Sequence, residues 1–357
     1  MVQSATDIVI GGATPGARNL ICANGTGVSL LGSSRDVVQG NFIGTDVTGH
    51  YDLGNTGDGI VVQGCSLTSI GGANAGNLIA NNSGYGIFLL GSDTNIVQGN
   101  WIGADLGGVW PLGNGRDGIC LQGSSATTIG GVSPGAANLI AFNNGAGVNI
   151  YAGQSNRVSA NSIFDNGGPG ILLGSGANQS QNAPALTDAV AAYGSTQVQG
   201  VLSSQANTSF WLEFFASPAW DGAGIAEGRT YLGAATRSTD PAGNAIFSVT
   251  LPVSVPADNL ITATATDPAG NTSPFSPGIP ITAGLAGVAL SVTRSSNGQI
   301  TVSWPSTAAG FQLEAAAFLE WPIQWYPVTN GISDDGILKI YIIFAGSQTN
   351  QFFRLKR

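Results

Sequence analysis

Charge is what this sequence has least of. Asp, Glu, Lys and Arg together make up 9% of its 357 residues, against about a quarter in an average globular domain. The first 200 residues contain no Lys and no Glu, and Lys first appears at Lys339. The balance is acidic, with a net charge of −9, and the one basic cluster is the tail Arg354-Leu355-Lys356-Arg357. This disfavours nucleic-acid binding, which needs a basic face against phosphate. No apolar run reaches the roughly 18 residues of a membrane-spanning helix, so membrane insertion is not expected. Long amphipathic helices are excluded by the missing Ala/Glu/Lys/Leu periodicity and by the density of glycine. The three cysteines, Cys22, Cys65 and Cys120, cannot all pair and fit no zinc spacing. They read as small apolar residues, with one disulfide as the alternative. No signal-peptide pattern follows Met1-Val2-Gln3-Ser4. Gly-x-Ser-x-Gly, phosphate-loop and His-Glu-x-x-His motifs are also missing.

What the chain does have is glycine, 54 residues of it, recurring in register. Ile10-Gly11-Gly12 returns as Ile70-Gly71-Gly72 and Ile129-Gly130-Gly131, and Asn19-Leu20-Ile21 returns at Asn77 and Asn138. Val38-Gln39-Gly40-Asn41-Phe42-Ile43-Gly44 returns as Val97-Gln98-Gly99-Asn100-Trp101-Ile102-Gly103. The period near 59 residues subdivides, because Gly-[Ile/Val]-x-[Leu/Val/Ile] starts at Gly27, Gly59, Gly86, Gly118, Gly147 and Gly170. Short alternating runs separated by Gly and Asn are the pattern of a β-solenoid: apolar columns inside, sharp corners with φ > 0 between runs. Coils stacked about 4.8 Å apart would bring Asn19, Asn41, Asn77, Asn100, Asn138 and Asn161 into a ladder of side-chain amides.

On these motifs, residues 1–176 resemble the right-handed parallel β-helix repeats of secreted bacterial proteins. Gly-Asn-Phe-Ile-Gly-Thr-Asp (40–46) and Ile-Gly-Gly-Ala-Thr-Pro-Gly-Ala-Arg-Asn-Leu-Ile (10–21) carry the resemblance. The wider superfamily includes pectate lyases, polygalacturonases, epimerases and phage tailspikes. The resemblance implies an all-β fold, a polysaccharide partner and an extracellular or cell-surface location. It does not imply one activity, since such repeats are mostly scaffold.

A composition shift between residues 175 and 200 marks a boundary. Residues 177–283 read as a β-sandwich and resemble bacterial immunoglobulin-like modules, notably in Ala265-Thr266-Asp267-Pro268-Ala269-Gly270-Asn271-Thr272-Ser273. Thr-Asp-Pro-Ala-Gly-Asn occurs at 239–244 and 266–271 as turn chemistry. Residues 284–357 form a second β module resembling fibronectin type III-like modules; its Trp304, Trp321 and Trp325 are core anchors or a sugar-stacking face. The expected architecture is thus about six solenoid coils followed by two β-sandwich-like modules.

Candidate chemistry sits on two 15-residue loops, 44–58 and 103–117, which align without gaps at an offset of 59. Asp46/Asp105 and Asp58/Asp117 recur in both. Two coils apart means about 9.6 Å, at the edge of the roughly 6.5–9.5 Å between the carboxyl groups of inverting glycosidases. Asp58 and Asp117 are therefore candidate catalytic carboxylates. Asp46 and Asp105 are a second pair or calcium ligands, calcium being the one cofactor left open. Arg116 could bind an acidic sugar or act as a base. Turn chemistry is the simpler account of the same aspartates, each in a repeated loop position. Positions that differ between the loops are not demanded by the scaffold. These include His50 against Val109, Tyr51 against Trp110, Asp52 against Pro111 and Gly57 against Arg116. His50, Tyr51, Trp101 and Trp110 are candidate substrate-binding residues, the aromatics as a strip for sugar faces. The expectation is a glycoside hydrolase using loop aspartates; the alternative is a non-catalytic polysaccharide-binding, adhesion or structural protein. Lyase chemistry with a Lys base is disfavoured by the solenoid's lack of Lys. Residues 1–26 begin partway through a coil without a cap, which predicts a fragment of a longer β-helix or end-to-end self-association.

Overall fold

The computed structural model describes residues 1–192, 194–218, 227–283, 290–296, 298–306, 308, 310–318, 323–344 and 351–356. The chain forms two compact units, Met1–Thr282 and Ala283–Arg357.

The first unit opens with a right-handed parallel β-helix whose three sheets run along its axis. The first sheet stacks Val2–Gln3, Val28–Leu31, Ile60–Gln63, Ile87–Leu90, Ile119–Gln122, Val148–Ala152 and Ile171–Leu173. The second stacks six strands from Val9–Gly11 to Arg157–Ser159, and the third six from Leu20–Ile21 to Ser162–Phe164. All are parallel and, apart from a one-residue shift after Leu121 in the first sheet, in register, so like faces stack on like faces. Leu30, Val62, Leu89, Leu121 and Ile150 form one inward column, fully buried. Ile43, Ile79, Ile102, Ile140 and Ile163 form another from the third sheet. Alternation supplies the rest: residues between the column members face outward, where Lys and Glu are replaced by Ser, Val, Phe and Asn.

Corner chemistry divides into two kinds. Between the second and third sheets the turn takes positive φ, at Gly40 (68°), Gly99 (70°) and, in the last coil, Ala160 (53°). The glycines that open each first-sheet strand were expected for the same reason, but the reason differs. A Cβ on Gly59 would lie 2.7 Å from the Gly86 carbonyl oxygen and 2.7 Å from Ile79 Cγ2. Close approach of coils, not handedness, demands glycine there.

The Asn ladder is present. Nδ2 of Asn19 donates to Oδ1 of Asn41 (2.8 Å), Asn41 to Asn77 (3.0 Å), Asn77 to Asn100 (2.9 Å), Asn100 to Asn138 (3.0 Å) and Asn138 to Asn161 (2.9 Å). A second ladder accompanies it, through Asn24, Asn55, Asn82, Asn114, Asn143 and Asn166. Its last donor, Asn166 Nδ2, meets Oε1 of Glu227 (3.1 Å), a residue of the following module. The cysteines are not paired with one another. Cys65 stands in a serine column, accepting from Ser33 N and donating its own N–H to Ser92 Oγ.

Two antiparallel four-stranded sheets follow, centred on Ser195–Ser203 and Ser209–Pro218. They enclose Val198, Leu202, Phe210, Leu212, Phe214 and Phe247. Asp240 and Asp267 close turns, each accepting the N–H four residues on, from Asn244 (2.9 Å) and Asn271 (2.8 Å). This module caps the solenoid. Phe215 and Phe275 enter the solenoid's apolar cluster, and the Ile163 and Gly228 backbones bond in both directions. Val158 N donates to Thr272 Oγ1 (3.0 Å), and Ser159 Oγ to the buried Glu213 (2.9 Å).

The second unit pairs a four-stranded antiparallel sheet with a three-stranded one, the latter completed by Phe352–Lys356. Trp304 is in its core with Val302 and Leu313. Trp325 lies 4.4 Å beneath the Arg354 guanidinium. Trp321 lies outside the described residues.

Candidate functional site

Both long loops leave the third sheet, after Phe42–Ile43 and Trp101–Ile102, and fold back as narrow arches. Isolated antiparallel bridges, Thr45–Asp52 and Ala104–Pro111, close them at equivalent points. Each arch is organised by its first aspartate. Asp46 Oδ1 accepts the N–H groups of His50 and Tyr51 (both 3.1 Å), and the Thr48 hydroxyl donates to it at 2.8 Å. Asp105 Oδ1 accepts from Val109 (2.8 Å) and Trp110 (3.0 Å). Desolvation pushes the Asp46 carboxyl up, but the Thr48, Tyr51 and His50 donors outweigh it and hold it at about 2. Asp105 is also lowered, its burial outweighed by donors from Trp110, Val109 and Gly107 and by His50. Gly49 and Gly108, at φ 75° and 66°, let the arches lie flat: a Cβ there would strike Leu78 and Leu139 of the next coil.

Between the arch tips lies an open cleft of about 660 Å³ lined by Thr48, His50, Tyr51, Trp110, Pro111 and Leu112. Tyr51 is 71% exposed and Trp110 64%. The strand between the two arches, Leu78–Ile79, pairs with both parent strands. The rings thus come from coils two apart. His50 Nδ1 reaches toward Asp105 Oδ2 at 4.0 Å, joining the tip of one arch to the base of the other.

Of the sequence candidates, the cleft gathers His50, Tyr51 and Trp110. Trp101 is not among its lining residues: it packs beneath, against Phe42, Leu78, Ala80 and Leu112. Asp46 and Asp105 shape the arches. Asp58 and Asp117 lie at the arch ends, by the first sheet. Asp58 Oδ1 accepts the Tyr85 N–H and Asp117 Oδ1 the Ala146 N–H, both at 2.7 Å, and Asp117 Oδ2 accepts from Asn149 Nδ2 (3.0 Å). Each ties its coil to the next. Between them, Arg116 donates to the Tyr85 hydroxyl (3.3 Å) over a ring stacked on Phe88. Among the described residues no group of three or more His, Cys, Asp or Glu converges as metal ligands do.

Thr48 carries no signal in the sequence; Pro111 stands out only as the counterpart of Asp52 where the two loops differ, and Leu112 only as the repeat of Leu53. The second ladder was also missed. Its signal is an Asn four residues before the glycine that opens a coil, from Asn55 to Asn166.

No family model matches the sequence, and no curated protein matches it. Among solved structures, the chain aligns with full-length tailspike protein 2 from Escherichia coli O157:H7 bacteriophage CAB120 at TM-score 0.27 and 10% identity. That alignment covers 97% of this chain and 48% of the tailspike, so the chain spans about half that protein's length. At that score the alignment carries no functional argument, and the β-helix rests on the three parallel sheets themselves.

Proposed function

We propose that this chain is a polysaccharide-binding protein, working at a cell surface or outside cells, whose binding face is the cleft between the two arches. The observation that supports the reading is the pair of exposed rings, Tyr51 and Trp110, set on rigid loops and opening into one cleft. Aromatic faces stack on the apolar faces of sugar rings. The cleft's size is within the roughly 300–1,000 Å³ of ordinary ligand sites. The arches are held by internal hydrogen bonds, so little ordering entropy opposes binding.

Hydrolysis is the second reading, favoured by one observation: Asp58 and Asp117 recur on the same edge with Arg116 and Tyr85 between them. The same hydrogen bonds favour binding over catalysis, because both Asp117 oxygens are engaged as acceptors within the scaffold. The test is affinity electrophoresis against a panel of soluble polysaccharides, with reducing-end and unsaturation assays run alongside. Tyr51→Ala and Trp110→Ala should each weaken retention about fivefold or more, a loss of at least about 1 kcal/mol for an anchoring aromatic. Release of reducing ends that is abolished by Asp58→Asn or Asp117→Asn, with folding intact, would replace binding by hydrolysis.

A further inference from the structure

We propose that the cleft selects an uncharged, extended glycan laid along the solenoid axis, and rejects polyuronates. This rests on the binding role just proposed and concerns what the same cleft takes. Direction comes from the topology. The strands that carry the two arches are two coils apart, about 9.6 Å along the stack, so a ligand that follows both arches runs parallel to the axis. A chain of sugars laid in that direction can meet both rings.

Charge comes from the side chains. The cleft ends of the two arches carry three aspartates, Asp46, Asp52 and Asp105, against His50, while Asp58, Asp117 and Arg116 lie together at the far ends. Arg116 is held on Tyr85 at the far end of its arch, away from the cleft lining. Arg18, one coil toward the N-terminus, lies 3.9 Å over the Phe42 ring and donates Nε to the Gly40 carbonyl. His50 has Asp105 at 4.0 Å. The first 200 residues hold ten Asp and four Arg, so the wider field has the same sign. A polymer carrying a carboxylate on each sugar would meet repulsion at every step with no cation free in the cleft to offset it.

The test compares hydroxyethyl cellulose with carboxymethyl cellulose, an uncharged and an anionic form of one extended backbone, with neutral xylan and mannan beside them and polygalacturonate as a second polyanion. At low ionic strength, at least one neutral polymer should bind about tenfold or more tightly than the polyanions, and the gap should narrow as salt screens the field. Oligomers of the best neutral ligand should gain affinity from one sugar to the length that covers both rings. Polyanions bound as tightly as neutral chains, with loss in Tyr51→Ala, would overturn the selectivity and leave the binding role standing. Retention of every polymer unchanged by Tyr51→Ala and Trp110→Ala, or retention of none, would remove the binding role itself.

Discussion

Asn100→Ala is the sharpest perturbation of the solenoid. The side chain is 1% exposed. Its Nδ2 donates to Asn138 Oδ1 and to the carbonyls of Ile70 and Gln98. Its Oδ1 accepts both the N–H and Nδ2 of Asn77, at 3.0 and 2.9 Å. Truncation deletes five hydrogen bonds and strands the Asn77 N–H in an interior that water cannot reach. A typical bond is worth about 1 kcal/mol net, and an orphaned buried group costs about 1–3 kcal/mol. Allowing for relaxation, the loss should be about 3–5 kcal/mol, among the larger single-site effects. Asn19, at the exposed end of the same ladder, touches one neighbouring side chain, Asn41; Asn19→Ala should cost under about 1 kcal/mol. Urea unfolding of both variants, with slopes equal to the parent, gives the comparison. Equal small losses at the two positions would refute the ladder as a source of stability.

Acid should act on the arch through Asp46. Its folded-state value of about 2 lies below the ordinary 3.8. Its contribution is therefore complete above about 4 and disappears as pH falls toward 2. Titrating Tyr and Trp fluorescence should show a transition in that window that Asp46→Asn removes. Glu213 has the opposite sign. Burial raises it above 4.5 against the Ser159 hydrogen bond, so its stabilisation is complete below 4.5 and is lost as pH rises through the folded-state value. Glu213→Gln should raise the unfolding midpoint at neutral pH and not at pH 4; a lowered midpoint at both would refute this.

The solenoid was legible because its repeat is enforced at every level. Val38-Gln39-Gly40-Asn41 returns two coils on as Val97-Gln98-Gly99-Asn100, with Ile70 and Asn77 filling the coil between, so the ladder follows once the 59-residue period is halved. The second ladder escaped because its asparagines have dissimilar neighbours, from Gly54-Asn55-Thr56 to Asp165-Asn166-Gly167; from Asn55 onward only their distance to the glycine that opens the next coil is constant. The cap was beyond reach for another reason. Phe215, Glu227, Thr272 and Phe275 meet the last coil from positions 50 to 120 residues away in sequence, and no local pattern marks a residue that completes a neighbour's column. The cleft was half legible. Tyr51 and Trp110 stood out as departures from a repeat, while Trp101 looked equivalent until the arch covered it.

The unit that recurs is a pair of coils, one with an arch and one without, and this makes length and recognition grow together. A duplication of 59 residues would add two rungs to each ladder, two layers to each apolar column and one more arch, at the same interval and on the same side. Duplicating a single bare coil would lengthen the scaffold equally well but would move the arches out of step with any ligand they share. The solenoid therefore behaves as a ruler whose graduations are set by backbone stacking. Reach along a polymer can be changed in whole increments, without redesigning a single side chain in the interior.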